Sequence, residues 1–272
     1  MPPRDCAREQ VLSGGGVTHV VRVGETVRRP ARPFSATVQH FLAHLRRQGF
    51  LAAPEPLGYD ECGREILSYL PGDVPVEPLP AYAAEQRVLV ALGGLVRQLH
   101  DAAASWVPPK DAVYGALPGP PPPGVRPLVE HPELVSHQDY CPGNIVFRNG
   151  LPAGLIDFDM ARPTSRVADV VNALYYWAPL SHPQDRAPSL ADADPGVRAR
   201  IFADAYGMTA AQRAAVAPLA VRRAANSVFA MQAAAEADPV FRRWWEEGLR
   251  ERLPRTQAWI TAEAEHLAAA LR

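Results

Sequence analysis

Ser136-His137-Gln138-Asp139-Tyr140-Cys141-Pro142-Gly143-Asn144-Ile145-Val146-Phe147, followed by Leu155-Ile156-Asp157-Phe158-Asp159, concentrates more polar chemistry than any other stretch of the chain. Its flanks are apolar: Leu134-Val135 before it, Ile145 to Phe147 after it, and Ala153 to Ile156 running into Asp157. Arg148-Asn149-Gly150 reads as the turn of a hairpin between the last two. Carboxylates beside apolar strands are costly unless they pair or coordinate. Asp157 with the amide oxygen of Asn144 leaves coordination positions for water and phosphate oxygens, which suits Mg²⁺ held on a nucleotide. Asp139 can accept or orient the proton of an attacking hydroxyl. Pro142-Gly143 supplies the turn that swings Asn144 toward Asp157. Taken singly, Asp139 reads as a turn residue, Asn144 as an Asx turn and Asp157 as a strand-end cap. Their order and setting together point to chemistry.

Upstream, Ser13-Gly14-Gly15-Gly16 signals a turn, and Val17 to Val23 and Thr26 to Arg29 alternate as strands around Gly24-Glu25. Ser35 is expected to cap a helix to about Gln48, with Val38, Phe41, Leu42 and Leu45 on one stripe and Gly49 as its stop. Pro56 to Tyr59 and Glu65 to Tyr69 read as two more strands around Asp60 to Gly63. Leu70-Pro71-Gly72-Asp73 breaks the pattern and marks a boundary between a lobe at 1–70 and a lobe at 71–272. Ala81 to Ser105 is helical, with Leu92, Leu95, Val96 and Leu99 facing a core. Nine of the 25 residues from Pro108 to Pro132 are proline, too many for helix or central strand, and read as a surface connector. After Arg166 the chain is Ala-rich and helical, with breaks expected near Pro183, Pro195, Pro239 and Pro254. The architecture is α+β: a small β-rich lobe, then a larger, mainly helical one.

The 272 residues are 47% hydrophobic and 21% charged, a globular composition. Lys plus Arg number 28 against 29 acids, a net charge of −1, so neither nucleic acid nor an anionic membrane is an expected partner. No apolar run is long enough to span a bilayer, and Met1 to Cys6 lacks the apolar stretch of a secretory signal. Three scattered cysteines, Cys6, Cys62 and Cys141, fit a reduced cytoplasmic protein.

His137-x-Asp139-x-x-x-x-Asn144 resembles the catalytic loop of protein-kinase-like phosphotransferases. Asp157 lies 18 residues beyond Asp139, where that fold places its second magnesium ligand. The wording from Ser136 to Phe147, then Ile156-Asp157-Phe158-Asp159, is similar to the aminoglycoside phosphotransferase and choline kinase branch. Arg166-Val167-Ala168-Asp169 resembles that branch's structural aspartate. The resemblance runs from about Gly14 to Leu180. It implies a bilobal protein-kinase-like fold and an ATP- and Mg²⁺-dependent transfer of phosphoryl to a hydroxyl. Asp139 would be the catalytic base, Asn144 and Asp157 the metal ligands, and His137 a structural tie. Gly14, Gly15 and Gly16 would fold over the phosphates, and Ser68, Tyr69 and Leu70 would line the adenine hinge. Acceptors implied are small hydroxyl compounds, aminoglycosides and other antibiotics among them.

The family's phosphate-gripping lysine has no counterpart, since the only lysine, Lys110, lies in the proline tract. Arg28 aligns with its place, with Arg29 expected on the opposite face. The helix from Ser35 to Gln48 carries no acid to partner it. Two alternatives are a nucleotide-binding module of the same fold with little catalysis, and a metal hydrolase using His100, His131, His137 and Asp139. From Asp139 to Arg272, 15 acids balance 15 arginines, without the acidic excess a polycationic acceptor favours. Arg162-Pro163-Thr164 is expected to lead straight into a helix, leaving no activation segment of the protein-kinase type.

Overall fold

Five antiparallel strands, ordered β1-β2-β3-β5-β4, build the first sheet: β1 (Gln10–Val11), β2 (Val21–Val23), β3 (Thr26–Pro30), β4 (Pro56–Tyr59) and β5 (Arg64–Ser68). The computed structural model describes residues 9–12, 20–120 and 122–272. The expected glycine loop at Gly14, Gly15 and Gly16 and the start of the Val17 strand lie outside them. Helix α1 (Ser35–Arg47) packs on β4 of this sheet, with Val38, Phe41, Leu42 and Leu45 buried and Phe41 against Trp106 and Phe158. Ser35 is not its cap. Phe34 occupies that position, and the Ser35 hydroxyl accepts from the Arg32 N–H at 3.0 Å, closing the turn before the helix.

Helix α2 (Gln86–Ala103) buries the Leu92, Leu95, Val96 and Leu99 stripe and packs against α4 (Pro195–Tyr206). Strand β6 (Leu134–Ser136) leads into the polar loop, and β7 (Ile145–Arg148) pairs with β8 (Leu151–Leu155). Asn149 and Gly150 turn between them with φ of 53° and 73°, the left-handed pair that such a hairpin requires. Arg162–Thr164 is not a plain lead-in to a helix. It forms β9, antiparallel to β6, with Arg162 opposite Ser136. Helices α3 (Arg166–Trp177), α4, α5 (Ala210–Ala237), α6 (Pro239–Trp244), α7 (Arg250–Ala262) and α8 (Ala264–Ala270) complete the chain. Pro195 and Pro239 open helices as first-turn residues, but α7 runs through Pro254. The interruption there falls earlier, at Gly248 with φ 131°. Among the described residues, no helix is long and apolar enough to cross a membrane.

Candidate active site

The loop after β6 is fixed by Asp169, a fully buried carboxylate on the first turn of α3. It accepts from the Ser136 hydroxyl at 2.7 Å, the Tyr140 hydroxyl at 2.5 Å, the Gln138 N–H at 3.1 Å and the Gln138 side-chain amide. His100 of α2 meets it at 2.7 Å. Asn172, one turn on, donates to the Gln138 carbonyl at 2.9 Å and accepts from the Tyr140 N–H at 3.0 Å. Burial by itself would raise the Asp169 carboxyl, but the hydrogen bonds from His100, Tyr140 and Ser136 hold it below the ordinary range. A carboxyl depressed on folding adds stability above its unfolded value of about 3.9, and that stability is lost as pH falls through the folded value. Asp169→Asn is therefore expected to lower stability at pH 7 by on the order of 3 kcal/mol. Urea unfolding at pH 7 and below pH 4 checks this, because the gap to wild type should narrow on the acid side.

On this frame the expected catalytic residues converge. The Asn144 side-chain amide donates to Asp139 Oδ2 at 2.9 Å and to the Asp139 carbonyl at 3.1 Å, which leaves Asn144 Oδ1 as an acceptor. The Ile156 N–H donates to the Asn144 carbonyl at 3.0 Å, so the next residue, Asp157, is held beside Asn144. His137 Nε2 meets the Ile156 carbonyl at 2.9 Å, and its Nδ1 accepts from the Asp139 N–H at 3.2 Å. Both ring nitrogens are engaged, as are those of His100 between Asp169 and Tyr206. Neither is placed as a ligand, and the hydrolase alternative loses its site. Among the described residues no group of three His, Cys, Asp or Glu side chains forms a metal centre. Cys141 stays a neutral thiol, pushed up by burial with Asp139 and Asp157 adding to it.

Arg29, rather than Arg28, reaches this centre. Its Nε donates to Glu65 at 2.6 Å, Nη1 to Asp157 at 3.3 Å, and Nη2 lies 2.7 Å from Asp159. Arg28 turns to the other side of β3 and meets Asp60 at 3.4 Å. Antiparallel register puts successive residues on opposite faces, so a one-residue difference decides which arginine faces the crevice. The carboxylate partner missing from α1 is supplied by the strand neighbour opposite Arg29, the wholly buried Glu65. Gln39 of α1 holds it from behind at 3.0 Å. The sequence signal for Glu65 was an acid directly before the apolar pair Ile66-Leu67 of that strand.

Burial pushes the Asp159 carboxyl well above the usual range, Asp157 adds to it, and Arg29 only partly opposes it. Asp159 Oδ1 is buried without an aligned hydrogen bond despite that Arg29 contact. Two close carboxylates, one with an orphaned oxygen, together with the Asn144 amide oxygen, make a donor set that fits a hard divalent cation such as Mg²⁺. At the hinge, Ser68 and Tyr69 give their N–H groups to the Glu55 and Glu25 carbonyls, each at 2.9 Å. Of the three, the Leu70 N–H is the one without a backbone acceptor among the described residues.

The proline tract is no mere connector. Val113 donates to Thr37 of α1 at 2.9 Å. Arg126 and Asn226 of α5 exchange backbone–side-chain hydrogen bonds at 3.0 and 2.6 Å. Between them Gly115 lies so close to Asp159 that a Cβ would overlap its carbonyl oxygen. Gly115→Ala is thus expected to displace the tract and the Asp159 segment. A shift near 1 Å at reacting groups lowers turnover by about a hundredfold, and steady-state kinetics of the variant measures it.

Comparison with known proteins bears on the family and the fold. The sequence profile of the phosphotransferase enzyme family known as APH matches residues 109–200. A trifolitoxin immunity protein from Rhizobium leguminosarum bv. trifolii is 37% identical over 210 residues, which is 75% of this chain and 76% of that protein. A choline/ethanolamine kinase family protein from Mesorhizobium loti shares the fold with a TM-score of 0.64 at 18% identity, covering 98% of this chain and 93% of that one. An amicoumacin kinase in complex with AMP-PNP and Ca²⁺ gives 0.63 at 13% identity, over 95% and 88% of the two chains. The protein-kinase-like fold, with its small antiparallel sheet and mainly helical second part, is therefore shared.

Proposed function

The chain belongs to the phosphotransferase enzyme family, and from that membership we propose that Asp139, Asn144 and Asp157 are the working residues of an ATP-dependent phosphotransferase whose acceptor is the hydroxyl of a small molecule. One observation carries the assignment. Asn144 hydrogen-bonds Asp139 through its side chain and holds the Asp157 strand end through its carbonyl, so the three groups form one constellation. Asp139 orients the acceptor hydroxyl and takes its proton as the oxygen attacks the γ-phosphorus and the bond to the β,γ-bridging oxygen breaks, with ADP as the leaving group. Asn144 Oδ1 and Asp157 hold Mg²⁺, which supplies charge neutralisation on the nucleotide phosphates when bound. Arg29 stands at the same carboxylates on an 8%-exposed stem, positioned to fork onto phosphate oxygens. The Leu70 N–H pairs with adenine.

The name of the rhizobial relative supports an acceptor that is a toxin or antibiotic, so that phosphorylation disarms it. An ATP-consumption screen with Mg²⁺ against hydroxyl-bearing antibiotics, toxins, amino alcohols and sugars tests the proposal. Turnover that depends on one acceptor supports it. ATP binding without turnover on any acceptor would instead favour a nucleotide-binding module.

A further inference from the structure

Three residues of the proline tract bridge the first lobe and the metal-side turn. At one end the Val113 N–H donates to the Thr37 hydroxyl at 2.9 Å. Thr37 is 7% exposed and lies on α1 between Ser35 and Gln39, whose side chains meet Glu65 at 3.5 and 3.0 Å. Two residues on, Gly115 is wedged between Phe34 and the Asp159 carbonyl, with no room for a side chain. That carbonyl belongs to the turn Phe158–Met160, which Asp157 opens at φ 61°. Phe158 in turn meets Phe41 of α1 edge to face at 6.2 Å. Among the described residues, the bond from Val113 to Thr37 is the only hydrogen bond between 108–132 and the first lobe.

Beyond Gly115 the tract is anchored on the second lobe. Gly119 packs on Ala237 and Ala233 of α5, Gly124 on the Phe229 ring, and Arg126 exchanges hydrogen bonds with Asn226. These contacts follow one another backwards along α5, so the tract lies antiparallel to roughly three turns of it. Gly119 and Gly124 take φ of 88° and 103°, values that glycine adopts without strain and that shape the tract to the helix. Prolines cut the freedom the tract loses on docking, so a few contacts suffice to hold it. A connector that only joined α2 to β6 would need neither anchor.

We infer that the tract is a tie held at both ends, and that Thr37 is a positioning residue for Mg²⁺–ATP: through Val113 it sets α1, and with it the Glu65–Arg29 pair, against the turn that carries Asp159. The inference rests on the phosphotransferase reading of this cleft and adds the element that fixes its two walls. Among the described residues Thr37 hydrogen-bonds no carboxylate of the site, so it acts through the tract. Val113 is exposed. When Thr37 no longer accepts, the Val113 N–H turns to water, and the tie lets go without unfolding the lobe.

Calorimetric binding of AMP-PNP with saturating Mg²⁺, well below the unfolding temperature, tests this. Thr37→Val keeps the shape and removes the acceptor, and should weaken binding about 3- to 10-fold. Thr37→Ser, which keeps the hydroxyl, should bind like wild type. Asn226→Ala frees the other end of the tract and should weaken binding by a similar factor. The double variant Thr37→Val with Asn226→Ala should be no weaker than either single one, because one tie is broken either way. Separate local faults would instead multiply, as distant independent sites do. Hydrogen exchange reads the tie without nucleotide. Thr37→Val and Asn226→Ala should each speed exchange of the Ala161 N–H, which closes the Asp159 turn on the Phe158 carbonyl at 3.0 Å. Unaltered binding or exchange in Thr37→Val, no rescue by serine, or multiplying losses in the double variant would overturn the inference. A wild type that binds no Mg²⁺–AMP-PNP, while exchange still responds to both variants, would refute the phosphotransferase reading and the ligand named here but support the tie.

Discussion

Asp139→Ala is expected to lower kcat by about 10²- to 10⁴-fold, the usual contribution of a positioned proton acceptor, while leaving nucleotide affinity intact. The expectation follows from where Asp139 is held. Its backbone is tied through His137 to the β8 strand end, and its carboxylate receives only the Asn144 amide and, at 3.4 Å, the Cys141 N–H. The Arg29–Asp157 pair, the Asn144 amide's bond to the Asp139 carbonyl and the Asn144 carbonyl's bond to the Ile156 N–H do not use the Asp139 carboxylate, so ATP should still bind. Because the Asp139 side chain is partly exposed, the released Asn144 amide can turn to water, and stability should fall by no more than about 1 kcal/mol. A group that acts only in the transition state lowers kcat and kcat/KM equally. Steady-state kinetics with calorimetric ATP binding reads both quantities. Near-normal turnover in this variant would remove Asp139 from the mechanism.

The polar loop after β6 was legible because its contacts are local. Asp139, Asn144 and Asp157 are brought together by one hairpin, whose turn residues Asn149 and Gly150 announce it. The stripes of α1 and α2 were legible for the same reason, since 3.6-residue periodicity needs no distant partner. What escaped depends on register and on long-range approach. Arg28 and Arg29 are equivalent in composition, and only the pairing of β3 with β5 decides which one faces inward; a slip of one residue exchanges them. Glu65 lies 36 residues from Arg29, and α1, which carries no acid, supplies Gln39, which supports Glu65 instead of replacing it. The proline tract read as a connector because stiffness alone does not tell where a segment docks. Its contacts with Thr37, Asp159 and Asn226 come from three separate parts of the chain.

Arg29→Ala is expected to be the most damaging single change in the first lobe. Its three guanidinium nitrogens serve three carboxylates, one each: Glu65, Asp157 and Asp159. Removing it strands Glu65, which is 0% exposed, as a buried uncompensated charge, at a cost of about 3–5 kcal/mol. It also leaves Asp157 and Asp159 to repel each other where phosphate and metal should enter, so the KM for ATP should rise. Arg29→Lys should recover little, because a single ammonium cannot serve three acceptors in a fork. Arg28→Ala, which loses only the Asp60 contact, should leave the KM for ATP unchanged. The two effects of Arg29 separate in the double variant Arg29→Met with Glu65→Leu. Replacing a buried ion pair by apolar side chains of similar volume is often neutral or stabilising, so the fold should recover while ATP binding should not. Thermal unfolding together with ATP titration of the four variants decides it, and recovered ATP affinity in the double variant would show that Arg29 serves the fold alone.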